Sequence, residues 1–295
     1  MAVSSSFLRS KRFLIIVGLY VAGILIIRLN GFGEFRHADV NTTGRTLPVY
    51  RPPMMPGFGL ESLVMVAGHA IYVSGVWTRE SIYNESNWFL EQGQAGQVST
   101  FIEHMKTGVE AAATDSMSLL IFSGGETRKG AGPRSEAQTY WLVADALGWF
   151  GHPQVASRAF TEEHARDSFE NLSFSMCRFR ELTGRYPSNT TIVSFKFKKR
   201  RFLELHAEAL SLPKSTVHYL GVDPPIMVEA TSGELSSAAV PFEQDPNGCQ
   251  HTILTSKRAK RNPFARTIPY PAGCPEMSGV LLHCGNSKFS GQVPW

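Results

Sequence analysis

The chain has 295 residues, of which 43% are hydrophobic and 18% charged, and its formal net charge is +4. That length suits one large domain or two small ones, and the apolar content excludes a disordered chain. So mild a charge argues against a nucleic-acid partner, which calls for a denser positive face.

Arg9, Lys11 and Arg12 precede an uncharged run over residues 13–27, and Arg28 closes it. As a helix the run spans roughly 22 Å, short of the ~30 Å hydrocarbon core, but flanking Arg and Lys side chains can snorkel. We read residues 13–27 as a transmembrane signal anchor. The basic flank makes 1–12 a cytoplasmic tail, and the remainder is then lumenal, in the ER or Golgi. A cleaved signal peptide and a buried soluble helix are the rivals. Against cleavage, Arg28-Leu29-Asn30-Gly31 offers no A-x-A-like site. Residues 28–60, with Pro48, Pro52, Pro53 and Pro56, read as a stalk. Sequons stand at Asn41, Asn84, Asn171 and Asn189. Glycans are expected at Asn41 or Asn84, and Asn171 is expected to stay bare inside a helix.

From residue 61 the pattern changes. Apolar runs suited to buried strands fall at 62–67, 119–122, 156–160, 191–195 and 217–220. Helical spacing falls between them, at 98–113, 136–147, 167–182 and 201–210, with a polar insertion over about 78–96. The strongest helix places Phe169, Leu172, Met176, Phe179 and Leu182 three or four residues apart. Strands alternating with helices predict a mostly parallel sheet covered on both faces, with ligands at the carboxyl ends of the strands. The alternation stops near 225, so 61–225 is the predicted domain and 226–295 an irregular extension packed on it. The basic run Lys257-Arg258-Ala259-Lys260-Arg261 reads as a solvated loop. Cys249, Cys274 and Cys284 cluster there, and at least one disulfide is expected among them. Cys177 lies in a helical pattern and is expected to be free and buried. No spacing suits zinc, and no metal site is expected.

The strand ends carry the polar residues. His69 follows the first. The second runs into Ser123-Gly124-Gly125, where glycines would let backbone amides approach a ligand and a helix start would favour an anion. Arg128 nearby would add a charge-assisted bond. Glu136 starts the next helix, and Glu162, Asp167, Ser168, Glu170 and Asn171 surround another helix start. A tight turn, a dipole partner and a loop cap are the structural alternatives for these groups. Glu136 and Glu162 are the acid/base candidates. There is no G-x-G-x-x-G, no P-loop and no G-x-S-x-G elbow.

On these residues the sequence resembles the domain of unknown function 218 family, the YdcF- and SanA-like envelope proteins, in a fungal membrane-anchored branch. The resemblance rests on Val64-Met-Val-Ala-Gly-His69, Ile121-Phe-Ser-Gly-Gly125, Ser135-Glu136-Ala137, Glu162-x-x-Ala-Arg-Asp-Ser-Phe-Glu-Asn171, and Val193-Ser194 with Arg201. Trp88-Phe-Leu-Glu91, Asn262-Pro-Phe264 and Cys274-Pro-Glu276 match the fungal branch. It implies a Rossmann-like three-layer sandwich with a pocket that includes His69, Ser123, Gly124, Gly125, Glu136, Glu162, Ser168, Glu170 and Asn171. Ser194 and Arg201 belong to the later strand and its following arginine. It also makes S-adenosylmethionine a possible ligand, through a bacterial member. Two departures sit in that pocket: Ala165, where many bacterial members have serine, and the basic segment from Phe195 to Arg201.

The expected function is binding of an anionic, nucleotide-like or phosphorylated small molecule by a membrane-anchored lumenal glycoprotein. Hydrolysis or group transfer in glycan or envelope metabolism would follow. The alternatives are an S-adenosylmethionine-binding protein or methyltransferase, and a non-catalytic scaffold of the secretory pathway. Whether the chain is an enzyme at all stays open at this level, and no protein partner is indicated.

Overall fold

A computed structural model describes residues 55–224 and 235–295. The expected cytoplasmic tail, the anchor at 13–27, nearly all of the stalk and the Asn41 sequon lie outside the described residues. No helix among the described residues is long and apolar enough to cross a membrane.

Five parallel strands form the central sheet. They are β1 (Ser62–Ala67), β4 (Ser118–Ser123), β5 (Ala159–Glu162), β6 (Asn189–Ser194) and β7 (Val217–Gly221), in the order β5-β4-β1-β6-β7. Counted along the sheet alone this is the Rossmann order, with the direction of winding reversing beside β1. A short antiparallel pair, β2 (Ile71–Tyr72) and β3 (Trp88–Phe89), brackets most of the polar insertion.

Successive strand residues point to opposite faces, so one strand supplies two cores. Val64, Val66, Leu120 and Phe122 face the helices Val98–Thr114 and Glu136–Ala146, meeting Phe101, Met105 and Tyr140. Leu63, Met65, Leu119 and Ile121 face the helix Ser168–Thr183 through Leu172, Met176 and Phe179. The register aligns the carboxyl ends: Ala67 lies opposite Ser123, and Ser123 opposite Glu162. The carboxyl ends of β1, β4 and β5 therefore lie level on one edge.

Three expectations change. The strand expected at 156–160 begins only at Ala159, because Pro153 starts a 3-10 segment that runs to Arg158. The extension is not irregular throughout: Thr252–Lys260 is a helix, and the basic run that reads as a solvated loop lies on it. Cys177 is not free, because it bridges Cys274 and so ties the Ser168–Thr183 helix to the tail. A second bridge, Cys249–Cys284, joins two of the three clustered cysteines. Of the sequon residues, Asn84 is exposed and Asn171 buried.

Candidate functional site

A cleft of about 230 Å³ opens at the carboxyl edge of the sheet, beside the neighbouring strands β1 and β6 where the winding reverses. Its first wall depends on two glycines. A Cβ at Gly68 would lie 2.6 Å from Glu136 Cβ, and one at Gly124 would lie 2.8 Å from the same atom. Their absence lets the first turn of the Glu136–Ala146 helix press onto the strand ends. Ser135 caps that helix by accepting from the Gln138 amide. Glu136 is thereby held at the cleft wall, where Thr127 donates to its carboxylate and Arg128 stands 3.6 Å away.

The Ser123-Gly124-Gly125 loop does not form the expected anion cradle. The Gly124 and Gly125 amides donate to the carbonyls of Glu162 and Ala165, at 3.0 and 2.8 Å. Ser123 Oγ donates to Glu162 Oε2 at 2.7 Å and lies 3.1 Å from Asn171 Oδ1. Glu170 is held by Arg166, whose Nε donates to it at 2.9 Å. Ser123, Gly124, Gly125, Glu162 and Glu170 are thus scaffold beneath the cleft and do not line it. Burial pushes the Glu162 carboxyl up to about 8, against the hydrogen bonds from Ser123 and the His164 amide.

His69, Arg128, Glu136, Ser168, Asn171, Ser194 and Arg201, all expected from the sequence, do line the cleft. His69 stacks on Phe195, with ring centroids 4.6 Å apart, and its Nε2 lies 3.2 Å from Ser194 Oγ. Burial holds the His69 imidazole well below its ordinary pKa, and Lys198, His104 and Arg201 push the same way, so it is neutral at pH 7. On the far wall Asp167 caps the Ser168–Thr183 helix through the Glu170 amide and accepts from Arg258 Nε at 2.7 Å. Burial opposes the charge on Asp167, but Arg258 beside it prevails and holds its carboxyl well below the usual range. Ser168 Oγ meets His206 Nε2 at 2.7 Å.

Charge is the dominant property of this cleft. Its lining carries six cations, Arg128, Arg166, Lys198, Arg201, Lys257 and Arg261, against three carboxylates, Glu91, Glu136 and Asp167. The carboxylates are engaged internally. Glu91 lies 3.1 Å from Arg128 and 3.7 Å from Arg261, Glu136 meets Thr127 and Arg128, and Asp167 meets Arg258. The Arg261 guanidinium is lowered by burial first and by Arg128 next, so like charges stand close together in this partly buried cleft. An anion placed here would relieve that repulsion. Among the described residues no group of three or more His, Cys, Asp or Glu is arranged to hold a metal ion.

Comparison with known proteins adds a relative but no activity. The chain is similar to the uncharacterized protein YOR238W of Saccharomyces cerevisiae, 29% identical over 260 residues that cover 70% of this chain and 86% of the yeast protein. No family model and no solved structure matches.

Sequence reasoning missed the contribution of the tail and of the polar insertion. Lys257 and Arg261 are four residues apart, and both reach the cleft. Arg258, one residue on from Lys257, turns to Asp167 instead. That spacing was the available signal, but an exposed basic helix shows the same one. Glu91 and Gln94 come from the insertion, and Gln94 Nε2 donates to the His69 carbonyl at 2.8 Å, which pins the loop over the strand end.

Proposed function

We propose that the chain binds an anionic, phosphorylated or nucleotide-like small molecule in the cleft at the β1/β6 edge. The observation that carries this reading is the excess of six lining cations over three internally engaged carboxylates, at the place where open α/β sheets bind ligands. Guanidinium groups suit phosphate because their planar fork gives two parallel charge-assisted hydrogen bonds. The resemblance to the domain of unknown function 218 family supports the same edge. Hydrolysis or group transfer on that ligand, in glycan or envelope metabolism, is the activity we attach to it.

The S-adenosylmethionine reading is less well supported. That molecule carries a sulfonium and an ammonium against one carboxylate, and a wall with cations in excess repels it. A purely scaffolding role gives no reason for six cations to gather against three carboxylates.

We further propose that the domain is lumenal, carried by the N-terminal anchor as a glycoprotein of the ER or Golgi. The two disulfides and the exposed Asn84 sequon support an oxidising compartment.

Calorimetric titration of the full chain with pyrophosphate, ADP and S-adenosylmethionine tests the ligand class. Binding of the two phosphorylated compounds, weakened by salt, is the expected result. Binding of S-adenosylmethionine alone would reverse the assignment.

A further inference from the structure

Two serines that line the cleft each contact a histidine, and the contacts differ. Ser194 is wholly buried and stands 3.2 Å from His69. Ser168 keeps 8% of its surface exposed, lines the cleft, and stands 2.7 Å from His206 Nε2. Both serines line the cleft, and Ser168 is the one with the closer contact and some exposed surface.

We propose that Ser168 is a nucleophile, with His206 as its general base, that accepts a phosphoryl group from the ligand held in this cleft. The inference rests on the anionic-ligand reading above. Ser168 is the first residue of a 16-residue helix. Asp167 caps that helix at the Glu170 amide, while the Ser168 and Phe169 amides belong to the first turn, which has no intrahelical acceptor. Both the amides and the helix dipole favour negative charge on the oxygens of a group attacked by Ser168. Arg201 and Arg261 line the same cleft and add positive charge to it.

The base is held by packing. The His206 ring sits edge-on among Phe169, Phe202 and Phe242, with centroids 5.8, 5.6 and 4.5 Å away. For Nε2 to accept from Ser168 the ring carries its proton on Nδ1, which has no hydrogen-bond partner among the described residues. The aromatic box therefore does the orienting that a carboxylate does in a triad. Burial keeps the imidazole neutral, with Arg201 pushing the same way and Asp167 opposing. A phosphate bound beside Arg201 offsets that cation and strengthens the base once the ligand is in place.

In the first step Ser168 Oγ bonds to phosphorus, and the bond from phosphorus to the leaving oxygen breaks with its electron pair. The Ser168 proton passes to His206 Nε2, while the leaving oxygen, in line on the far side of phosphorus, takes its proton from solvent. In the second step a water oxygen, or an acceptor hydroxyl, bonds to phosphorus opposite Ser168 and gives its proton to solvent. The Ser168–phosphorus bond breaks, and Ser168 recovers a proton from His206. No other co-reactant is required.

The test uses the full chain with 2,4-dinitrophenyl phosphate as phosphoryl donor and pyrophosphate as binding probe. Peptide mass mapping after rapid acid quench reads the adduct, and dinitrophenolate absorbance reads turnover. The expected result is a phosphoryl group on Ser168 in the wild-type chain, lost together with turnover in Ser168→Ala. His206→Gln should slow phosphorylation by about a hundredfold or more, the range of a general base. Pyrophosphate affinity should stay within about threefold in both, well inside the tenfold that corresponds to about 1.4 kcal/mol. Ser168→Ala removes one hydroxyl, so it decides the matter even if His206→Gln fails to fold. An adduct on another residue, undiminished turnover by Ser168→Ala, or pyrophosphate binding by a wild-type chain that never forms an adduct would each overturn the nucleophile and leave the anion site standing. A wild-type chain that does not bind pyrophosphate removes both.

Discussion

Glu136 is fixed by what its neighbours lack. Because Gly68 and Gly124 both contact its side chain, Gly124→Ala should push the helix start off the strand ends. The expected cost is about 1–3 kcal/mol, as for other insertions into a tight contact, read as a lowered denaturation midpoint. Asn171 is also part of the scaffold, since its side-chain oxygen stands 3.1 Å from the buried Ser123 hydroxyl. Asn171→Ala should therefore cost roughly 1–3 kcal/mol of stability whatever it does to binding, and an unchanged melting temperature would contradict the network. Glu162 gives a pH signature. Its folded pKa of about 8 lies above the ordinary 4.5, because burial disfavours the charge. The folded state then holds a proton that the unfolded chain releases. The contribution is fully present below about pH 4.5 and is lost as pH rises through about 8. His69, His104 and His206, all lowered by burial, act oppositely below their ordinary value of 6.5. The clean comparison is wild type against Glu162→Gln. The stability difference between them should move against the wild type up to about pH 8 and flatten above it. A difference independent of pH would show that the carboxyl is not held neutral.

At the scale of elements, the helix Thr252–Lys260 joins the tail to the cleft. Its anchor is the buried pair of Arg258 with Asp167. Arg258→Met should cost about 3–5 kcal/mol, because it leaves the Asp167 charge buried without its partner. The Cys177–Cys274 bridge fastens the same tail across 97 residues of sequence. Mass mapping without reduction should recover the 177–274 and 249–284 pairs, and recovery of free Cys177 would restore the sequence expectation. This element was not legible in advance for a physical reason. A run of Lys and Arg at helical spacing looks the same whether it faces solvent or faces a cleft that holds its own charges. The Ser123–Gly125 loop misleads in the same way. Glycine signals that something comes close, and here that something is a glutamate side chain and a neighbouring loop carbonyl.

For the molecule as a whole, the apolar runs at 62–67, 119–122 and 191–195 made the buried parallel strands readable, because a strand covered on both faces needs nearly continuous apolar residues. Strand order was not readable from alternation, which is the same for several windings. The edge where ligands bind followed from the fold class. Seven of the residues assigned to it line the cleft, and the five beneath it were misplaced because a polar side chain at a strand end can point into the cleft or under it. What unites domain and tail is the cationic cleft to which both contribute. Calorimetric titration of pyrophosphate into the full chain and its Arg261→Gln variant tests this most directly. Arg261 comes from the tail, and its other contacts are a carbonyl of Arg166 and a distant carboxylate of Glu91. The expected result is saturable binding to the wild type, weakened about ten- to a hundredfold in the variant, the worth of a hydrogen bond to a charged group. Equal affinities in the two proteins, or no binding to the wild type, would contradict it.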